Sequence, residues 1–407
     1  MIKIRREGIL LEATKLEFEN QAVLNPTIYQ DGNILHLYYR AVKQGNYSSI
    51  GYCKLDGPLN IIVRKKKPLL YPEYDYEIHG VEDPRIVRLD GTYYLFYTAY
   101  DGKNARVAYA TSKDLRKWTK HGLITPSIPY EDAKNFFKLS RLKSKYYLFV
   151  SYIKEITAPD VLLWEKDCFI FPQKFNGKLA LVHRILPDIQ VIYFDNFEQL
   201  KDPNYWETYL TKLGDNVIIE PEFGYESRNI GAGAPLIEIE EGWLLIYHAV
   251  EDSNAGQIYR ASAVLLDKKP PFKVIGRLEK PLFSPLKDYE KFGDVDNVVF
   301  PTGTAIFDDR LYIYYGAADK SIAAISLVLK DLIKELVKSK STLDIEIGYI
   351  AGEIYERTYE NEISLTKLKN EYSDKQDLLM MAIGWLAREN KVIFRNYNGE
   401  LKIWAVS

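Results

Sequence analysis

Two acids, a proline and an arginine occupy consecutive positions in Glu82-Asp83-Pro84-Arg85, just ahead of the aromatic run Thr92-Tyr93-Tyr94-Leu95-Phe96-Tyr97. The residue before a proline is pushed out of the helical region, so Asp83 is expected to be extended. Arg85 would share its face if the strand runs straight through. An acid and a base side by side at a strand entrance suit a catalytic carboxylate, although one such pair alone also describes a surface ion pair. Further polar residues stand at strand ends along the chain: Arg40, His183, Arg184, His248 and Asp296. They can act together only if the fold carries distant strand ends to a common centre.

The repeat pattern supplies such a fold. A turn followed by an alternating aromatic-aliphatic strand recurs at 32–41, 91–99, 144–151, 177–184, 242–249 and 309–316. After most copies comes a second strand rich in small residues, as at 106–112, 260–266 and 321–326. Self-similar units of short strands argue for radial repetition in a mainly β fold, a β-propeller, because a sandwich gives no reason for the signature to recur. In a propeller the innermost strands converge on a funnel, and the polar strand ends would face one pocket.

The chain has 407 residues, of which 47% are hydrophobic and 27% charged, the balance of a globular protein. Aromatic residues reach 14%, 32 of them tyrosine, which suits half-buried strands and sugar-binding faces alike. A net charge of −2 gives no reason to expect nucleic acid or a membrane as partner. Cys53 and Cys168 form no metal-ligand spacing, so neither a disulfide framework nor a metal site is expected. The N-terminus lacks the apolar core of a signal peptide and no run of about 18 apolar residues occurs, so a cytoplasmic location is expected.

Beyond residue 328 the character changes. Residues 329–336 have helical period, and 338–342 are polar and read as a linker. The expected organisation is a propeller over 1–328, a helical linker over 329–345 and a winged-helix module over 346–407. Helices are expected to begin near 347, near 364 and behind an N-cap in 373–377, and a hairpin to turn at Asn398-Gly399. The acidic balance of the module favours docking or homo-oligomer formation over DNA binding.

Four stretches in order, Gly80-Val81-Glu82-Asp83-Pro84-Arg85, Phe171-Pro172-Gln173-Lys174 with His183-Arg184, Ile230-Gly231-Ala232-Gly233-Ala234-Pro235 with Trp243-Leu244-Leu245-Ile246-Tyr247-His248, and Asp296-Asn297-Val298-Val299-Phe300-Pro301-Thr302-Gly303, resemble glycoside hydrolase family 130, the β-mannoside phosphorylases and related hydrolases. The resemblance implies a five-bladed propeller, in which the strand expected at Tyr146 would belong to an insertion. It implies Asp83 as general acid, acting through the mannose 3-hydroxyl, with inorganic phosphate attacking the anomeric carbon from the opposite face. Phosphate is already an anionic nucleophile and needs cations rather than a base. The resemblance suggests Arg184, Arg85, Arg40 and His248 for phosphate, and Asn25, His183, Asp296 and Asn297 near the sugar. The partners implied are a β-mannoside oligosaccharide and inorganic phosphate as co-substrate, with no cofactor.

Two positions depart from the family pattern. The lysine that many phosphorylases carry before Ile-Gly is Asn229 here, and Ile185 stands where proline usually follows His-Arg. In an inverting hydrolase a second carboxylate, about 6.5–9.5 Å from the first, activates water, and Glu222 and Glu226 are the alternative bases in the right region. A non-catalytic sugar-binding propeller, or a sugar-sensing regulator with a DNA-reading winged helix, are further readings.

Overall fold

The computed structural model describes residues 2–140, 142–158, 160–254, 256–338 and 342–406. They form two compact units, Met1–Val337 and Lys338–Ser407.

The first unit is built of five successive antiparallel meanders. Ala22–Asp31, Ile34–Lys43, Tyr47–Asp56 and Asn60–Arg64 form the first, and Gly80–Leu89, Thr92–Tyr100, Ala105–Ser112 and Thr119–Leu123 the second. A single parallel bridge, Ser48 to Gly80, links the two. Lys166–Ile170, Leu179–Arg184, Ile189–Phe194 and Val217–Ile219 make the third. Asn229–Ala232, Trp243–Ser253, Gly256–Leu266 and Val274–Arg277 make the fourth. The fifth contains Val299–Phe307, Arg310–Ala317 and Ser321–Val328 and is completed by the N-terminal strand Arg5–Leu11. The inner strand of the first meander packs on those of the second and the fifth, and the third meander's on those of the second and fourth. Strand Trp243–Ser253 of the fourth packs against Val299–Phe307, so the inner side closes into a ring. Arranging short sheets radially leaves only short outer edges, where a single long open sheet would have to protect long ones.

One device recurs in all five meanders. A fully buried glutamate precedes or opens each one: Glu19, Glu77, Glu165, Glu226 and Glu290. Four of the five face a tyrosine of the second strand. Tyr39, Tyr247 and Tyr315 donate to Glu19, Glu226 and Glu290 at 2.6, 2.6 and 2.7 Å, and Glu77 helps to keep the buried Tyr97 phenol protonated. A cation of the outermost strand closes the same four: Arg64, Lys120, Arg277 and Arg6. In the third meander His183 takes the tyrosine's place, its Nδ1 2.9 Å from Glu165. A buried carboxylate is tolerated only when it is paired and hydrogen-bonded, and in four of the five the clasp ties the segment before the inner strand to the second and outermost strands of its sheet.

Between the second and third meanders lie two helices, Tyr130–Leu139 and Ser144–Ile156. The second replaces the strand expected at 144–151. Its buried positions, Tyr146, Phe149, Val150 and Ile153, follow the helical spacing, whereas Leu148, on the inward face of a strand reading with Tyr146, is 67% exposed.

The domain boundary also moves. Helix Leu329–Lys338, expected as a linker, buries Leu332 and Leu336 in the core of the fourth and fifth meanders and belongs to the first unit. Of the polar linker, residues 339–341 lie outside the described residues.

The second unit has helices Thr342–Glu360, Leu365–Glu371 and Gln376–Arg388 and the hairpin Val392–Tyr397 with Glu400–Ala405, joined by the short strand Ile363–Ser364. Ile350, Ile354, Leu368, Leu379, Ile383 and Ile403 make its core. Asn398 and Gly399 both have positive φ, as a two-residue hairpin turn requires. The third helix starts behind Lys375 without a side-chain cap, while Ser364 caps the second helix. No helix among the described residues is long and apolar enough to cross a membrane.

Candidate active site

The inner strands of the first three meanders share a distortion. Asn25-Pro26 opposes the single residue Tyr39, Asp83-Pro84 opposes Tyr97, and Asp167-Cys168 opposes His183. Each is a β-bulge whose first residue is left-handed, with φ of 49°, 47° and 58°. Asp83 is therefore not extended, and its strand does not run straight through to Arg85. Asparagine and aspartate tolerate the left-handed region better than most residues, and proline fits the second bulge position because no ladder hydrogen bond is asked of it. The bulge re-aims the polar side chain that a regular strand would hold within the sheet.

Around Asp83 the geometry is close. Asn25 Nδ2 donates to Asp83 Oδ1 at 2.7 Å. Arg40 pairs with Glu82 through Nη2 at 2.7 Å, lies 3.8 Å from Asp83 Oδ1 through Nη1, and donates from Nε to Ser48 Oγ at 2.8 Å. Burial alone would lower the Arg40 guanidinium, but Glu82 and Asp83 raise it above its ordinary value. Arg40 thus stands with the acid rather than with the other cations. Asp319, in the tight turn after Arg310–Ala317, completes this side. Burial pushes its carboxyl up to about 6, with Asp83 adding to the effect and Arg40 opposing it.

A second cluster adjoins the first. Asp167 lies 3.1 Å from Arg184 Nη1 and 3.5 Å from Arg85 Nη2, and His248 Nε2 is 3.9 Å away. Burial acts to raise the Asp167 carboxyl, but Arg184, His248 and Arg85 hold it below the usual range. Arg85 is fully buried and turned inward, donating to the carbonyls of Gly233, Asp83 and Pro84. It is a brace, not a free anion ligand.

His248 is pushed down to about 3, chiefly by burial and by Arg184 and Arg85 against the pull of Asp167, so it is neutral. Arg184 Nη1 donates to its Nε2 at 3.2 Å, which puts the proton on Nδ1. That buried Nδ1 has no partner, and neither has Arg184 Nε. Each is an unspent buried donor of the kind that suits an oxyanion. Gly231 makes the approach possible, because a Cβ there would lie 2.3 Å from the His248 ring and 2.6 Å from Asp167 Oδ2. Likewise a Cβ at Gly316 would stand 2.3 Å from Asn25 Oδ1.

Other expected residues fall elsewhere. His183 is fully buried in the clasp with Glu165 and Tyr209 and does not face the funnel. Glu226 is buried on Arg277 and Tyr247 and accepts the backbone N–H groups of Glu222 and Phe223. Glu222 is an exposed side chain 3.6 Å from Arg277. Asp296 is exposed and accepts from Gly293 N, while Asn297 has φ of 60° and its backbone bridges Lys291 and Tyr259. Arg228, beside Asn229, pairs with Asp252 and lies over the Tyr152 ring.

Asp167 and Asp319 escaped the sequence reading. Asp167 carried a signal, since it is the third copy of the bulge residue after Asn25 and Asp83. Asp319 carried none beyond its turn. No group of His, Cys, Asp and Glu among the described residues has the arrangement of a metal site.

A family model described as beta-1,4-mannooligosaccharide phosphorylase matches residues 5–338, and a winged helix-turn-helix model matches 340–405. A 1,2-beta-oligomannan phosphorylase of Thermoanaerobacter sp. (strain X514) is 34% identical over 353 residues, covering 82% of this chain and 99% of its own. A beta-1,2-mannobiose phosphorylase of the same strain is 32% identical over 350 residues, with the same coverage. The structure of beta-1,2-mannobiose phosphorylase from Listeria innocua, in complex with beta-1,2-mannobiose, shares the fold with a TM-score of 0.61 at 22% identity, over 82% of this chain and 99% of that one.

Proposed function

Because this chain belongs to glycoside hydrolase family 130, we propose that it is an inverting phosphorylase that cleaves β-mannosides with inorganic phosphate to give α-mannose 1-phosphate. The observation that carries the reading is the pair of unspent donors, Arg184 Nε and neutral His248 Nδ1, in the cationic cluster beside Asp83.

The residues divide the work. Asn25 occupies Asp83 Oδ1, which leaves Oδ2 to carry the proton. Asp83 protonates the mannose 3-hydroxyl, and that hydroxyl passes its own proton to the glycosidic oxygen. A phosphate oxygen attacks the anomeric carbon from the opposite face as the bond to the glycosidic oxygen breaks. The bonding pair leaves with that oxygen, which takes the proton and becomes a hydroxyl of the shortened saccharide. Arg184 and His248 hold the phosphate through charge-assisted and neutral hydrogen bonds. Asp319 and Glu82, both within the electrostatic reach of Arg40, accept from sugar hydroxyls.

Water as nucleophile would require a base. Asn229, in place of the lysine common in phosphorylases, favours that second reading, but Glu226 is locked in a clasp and Glu222 is engaged by Arg277 outside the cluster. A sugar phosphate is of use inside a cell, so the phosphorylase reading carries a cytoplasmic location. The test is incubation with β-1,2- and β-1,4-mannobiose, with and without phosphate. Mannose 1-phosphate that rises with phosphate concentration is expected, and the better substrate assigns the linkage. Free mannose released independently of phosphate would replace phosphorolysis by hydrolysis, and no turnover of any mannoside would leave a sugar-binding propeller.

A further inference from the structure

A helix at the surface of a folded unit normally turns polar residues to water. The second helix of the insertion, Ser144–Ile156, does not. Tyr146, Phe149, Val150 and Ile153 fill the core, yet Leu148, Tyr152 and Ile156 on the outward side are 67%, 39% and 52% exposed. Lys145, Leu148, Tyr152 and Glu155 follow one another at intervals of three, four and three residues, the spacing of a seam between two helices.

The same face carries a socket. Lys145, Leu148, Phe149 and Tyr152 stand at i, i+3, i+4 and i+7, and with Arg228 and Asp252 they line a cavity of about 180 Å³. Four residues so spaced form the hole into which a facing helix inserts one side chain. Arg228 stiffens its wall: the guanidinium lies 4.7 Å from the Tyr152 ring centroid and 5.6 Å from that of Phe149, and pairs with Asp252 at 3.2 Å. The charges decide what fills the socket. Lys145 donates to the carbonyl of Ser227 and has no acidic partner among the described residues. The exposed Glu155 likewise has no cationic partner among them, whereas Lys154 is spent on Glu131. Laid antiparallel on a copy of itself, about a two-fold axis beside Val150, the helix sets Lys145 against the partner's Glu155 and Leu148 against the partner's Tyr152. Each pair then forms twice, because a two-fold contact uses the same patch on both sides. A parallel pairing in register would instead set Lys145 against the partner's Lys145.

We propose that helix Ser144–Ile156 pairs antiparallel with the same helix of a second copy of this chain, with the partner's Tyr152 entering the socket. The occupant follows from charge: among the arrangements considered, the antiparallel copy answers Lys145 and Glu155 together. The pairing covers Leu148 and Tyr152, and with Tyr152 the guanidinium of Arg228 at the head of the inner strand Asn229–Ala232. It lies wholly within the first unit, so a chain ending at 338 keeps this dimer, and any larger assembly lost with the second unit is built on it. One helix pair is a small interface, so the dimer is expected to be of about micromolar strength.

The test is sedimentation velocity of the full-length chain from about 1 to 100 µM. Wild type is expected to associate reversibly over that range. Leu148→Asp puts two carboxylates into the seam and is expected to halve the mass of the assembly, and an unchanged melting temperature will show that this exposed position tolerates the change. Lys145→Glu and Glu155→Lys each set like charges opposite one another twice, and each is expected to raise the concentration needed for association about tenfold. In an equimolar mixture of those two variants every charge again meets its opposite, and association is expected to return to the wild-type level. A wild type that stays monomeric throughout would overturn the pairing, and the face is then covered by something other than a copy. An assembly unchanged by Leu148→Asp would overturn it too, by placing the interface elsewhere. Single variants that weaken association without recovery on mixing would refute the antiparallel register.

Discussion

Asp83 has one carboxylate oxygen committed to Asn25, and the role of acid proposed for it sets the first expectation. Asp83→Asn should fold with an unchanged melting temperature and lose about 10²–10⁴ in initial rate, the usual contribution of a general acid. Retention of activity within an order of magnitude would remove Asp83 from that role. If Arg184 holds the nucleophile as proposed, Arg184→Ala should raise the KM for phosphate steeply with a smaller change in the KM for sugar. Arg184→Lys should recover only part, because an ammonium cannot reproduce the guanidinium fork. Glu226 offers the opposite case. Glu226→Gln removes the buried carboxylate that Arg277 and Tyr247 close on and should cost about 3–5 kcal/mol in denaturant unfolding, with the activity of the folded fraction kept. Lost activity at undiminished stability would instead make it the catalytic base.

At the scale of elements, the helical insertion holds a buried titrating group. Tyr146, on helix Ser144–Ile156, donates to Asp188 Oδ2 at 2.7 Å, and burial pushes the Asp188 carboxyl up to about 7 despite that bond. A raised carboxylate pKa in the folded state means that the unfolded chain releases its proton first. The contribution of Asp188 to stability is then fully present below its unfolded value of about 4 and is lost as pH rises through about 7. Thermal melts should therefore show wild type falling between pH 5 and pH 8. Asp188→Asn should flatten that fall and melt higher than wild type at pH 8, while Asp319, with a carboxyl raised to about 6, accounts for part of what remains. Parallel curves for variant and wild type would mean that Asp188 does not titrate in this window.

For the whole molecule, the boundary between units is a matter of which core the helix Leu329–Lys338 joins. Leu332 and Leu336 are fully buried in the first unit, and each such leucine contributes about 1.5–3 kcal/mol by leaving water. A chain ending at 338 should stay soluble, with a melting temperature and activity near those of the full protein. One ending at 328 should melt several degrees lower or aggregate. Equal behaviour of the two truncations would return the helix to the linker. Light scattering on the first truncation tests whether the second unit docks copies of the chain, since loss of an oligomer on its removal is the expected outcome.

Residue types and spacing alone carried the repeat, the mainly β class, the break toward a C-terminal winged helix, and Asp83, Arg184 and His248 as the groups to examine. These are legible because alternation and turn chemistry are local, and because an acid-proline-arginine run is unusual wherever it lies. Tertiary structure decided the rest. The backbone at Asp83 is left-handed, not extended, because a bulge places two residues opposite Tyr97, and strand pairing is invisible to a local rule. Tyr146 lies in a helix because the core it meets takes every third or fourth residue rather than every second. His183 and Glu226 look like site residues in sequence, yet burial and pairing with residues far along the chain turn them into clasps. Asp167 became part of the site only when three inner strands, each bulged alike, were brought around one axis. A single chain fixes which groups are present, but charge pairing and burial, which depend on neighbours far along that chain, fix which of them remain free to do chemistry.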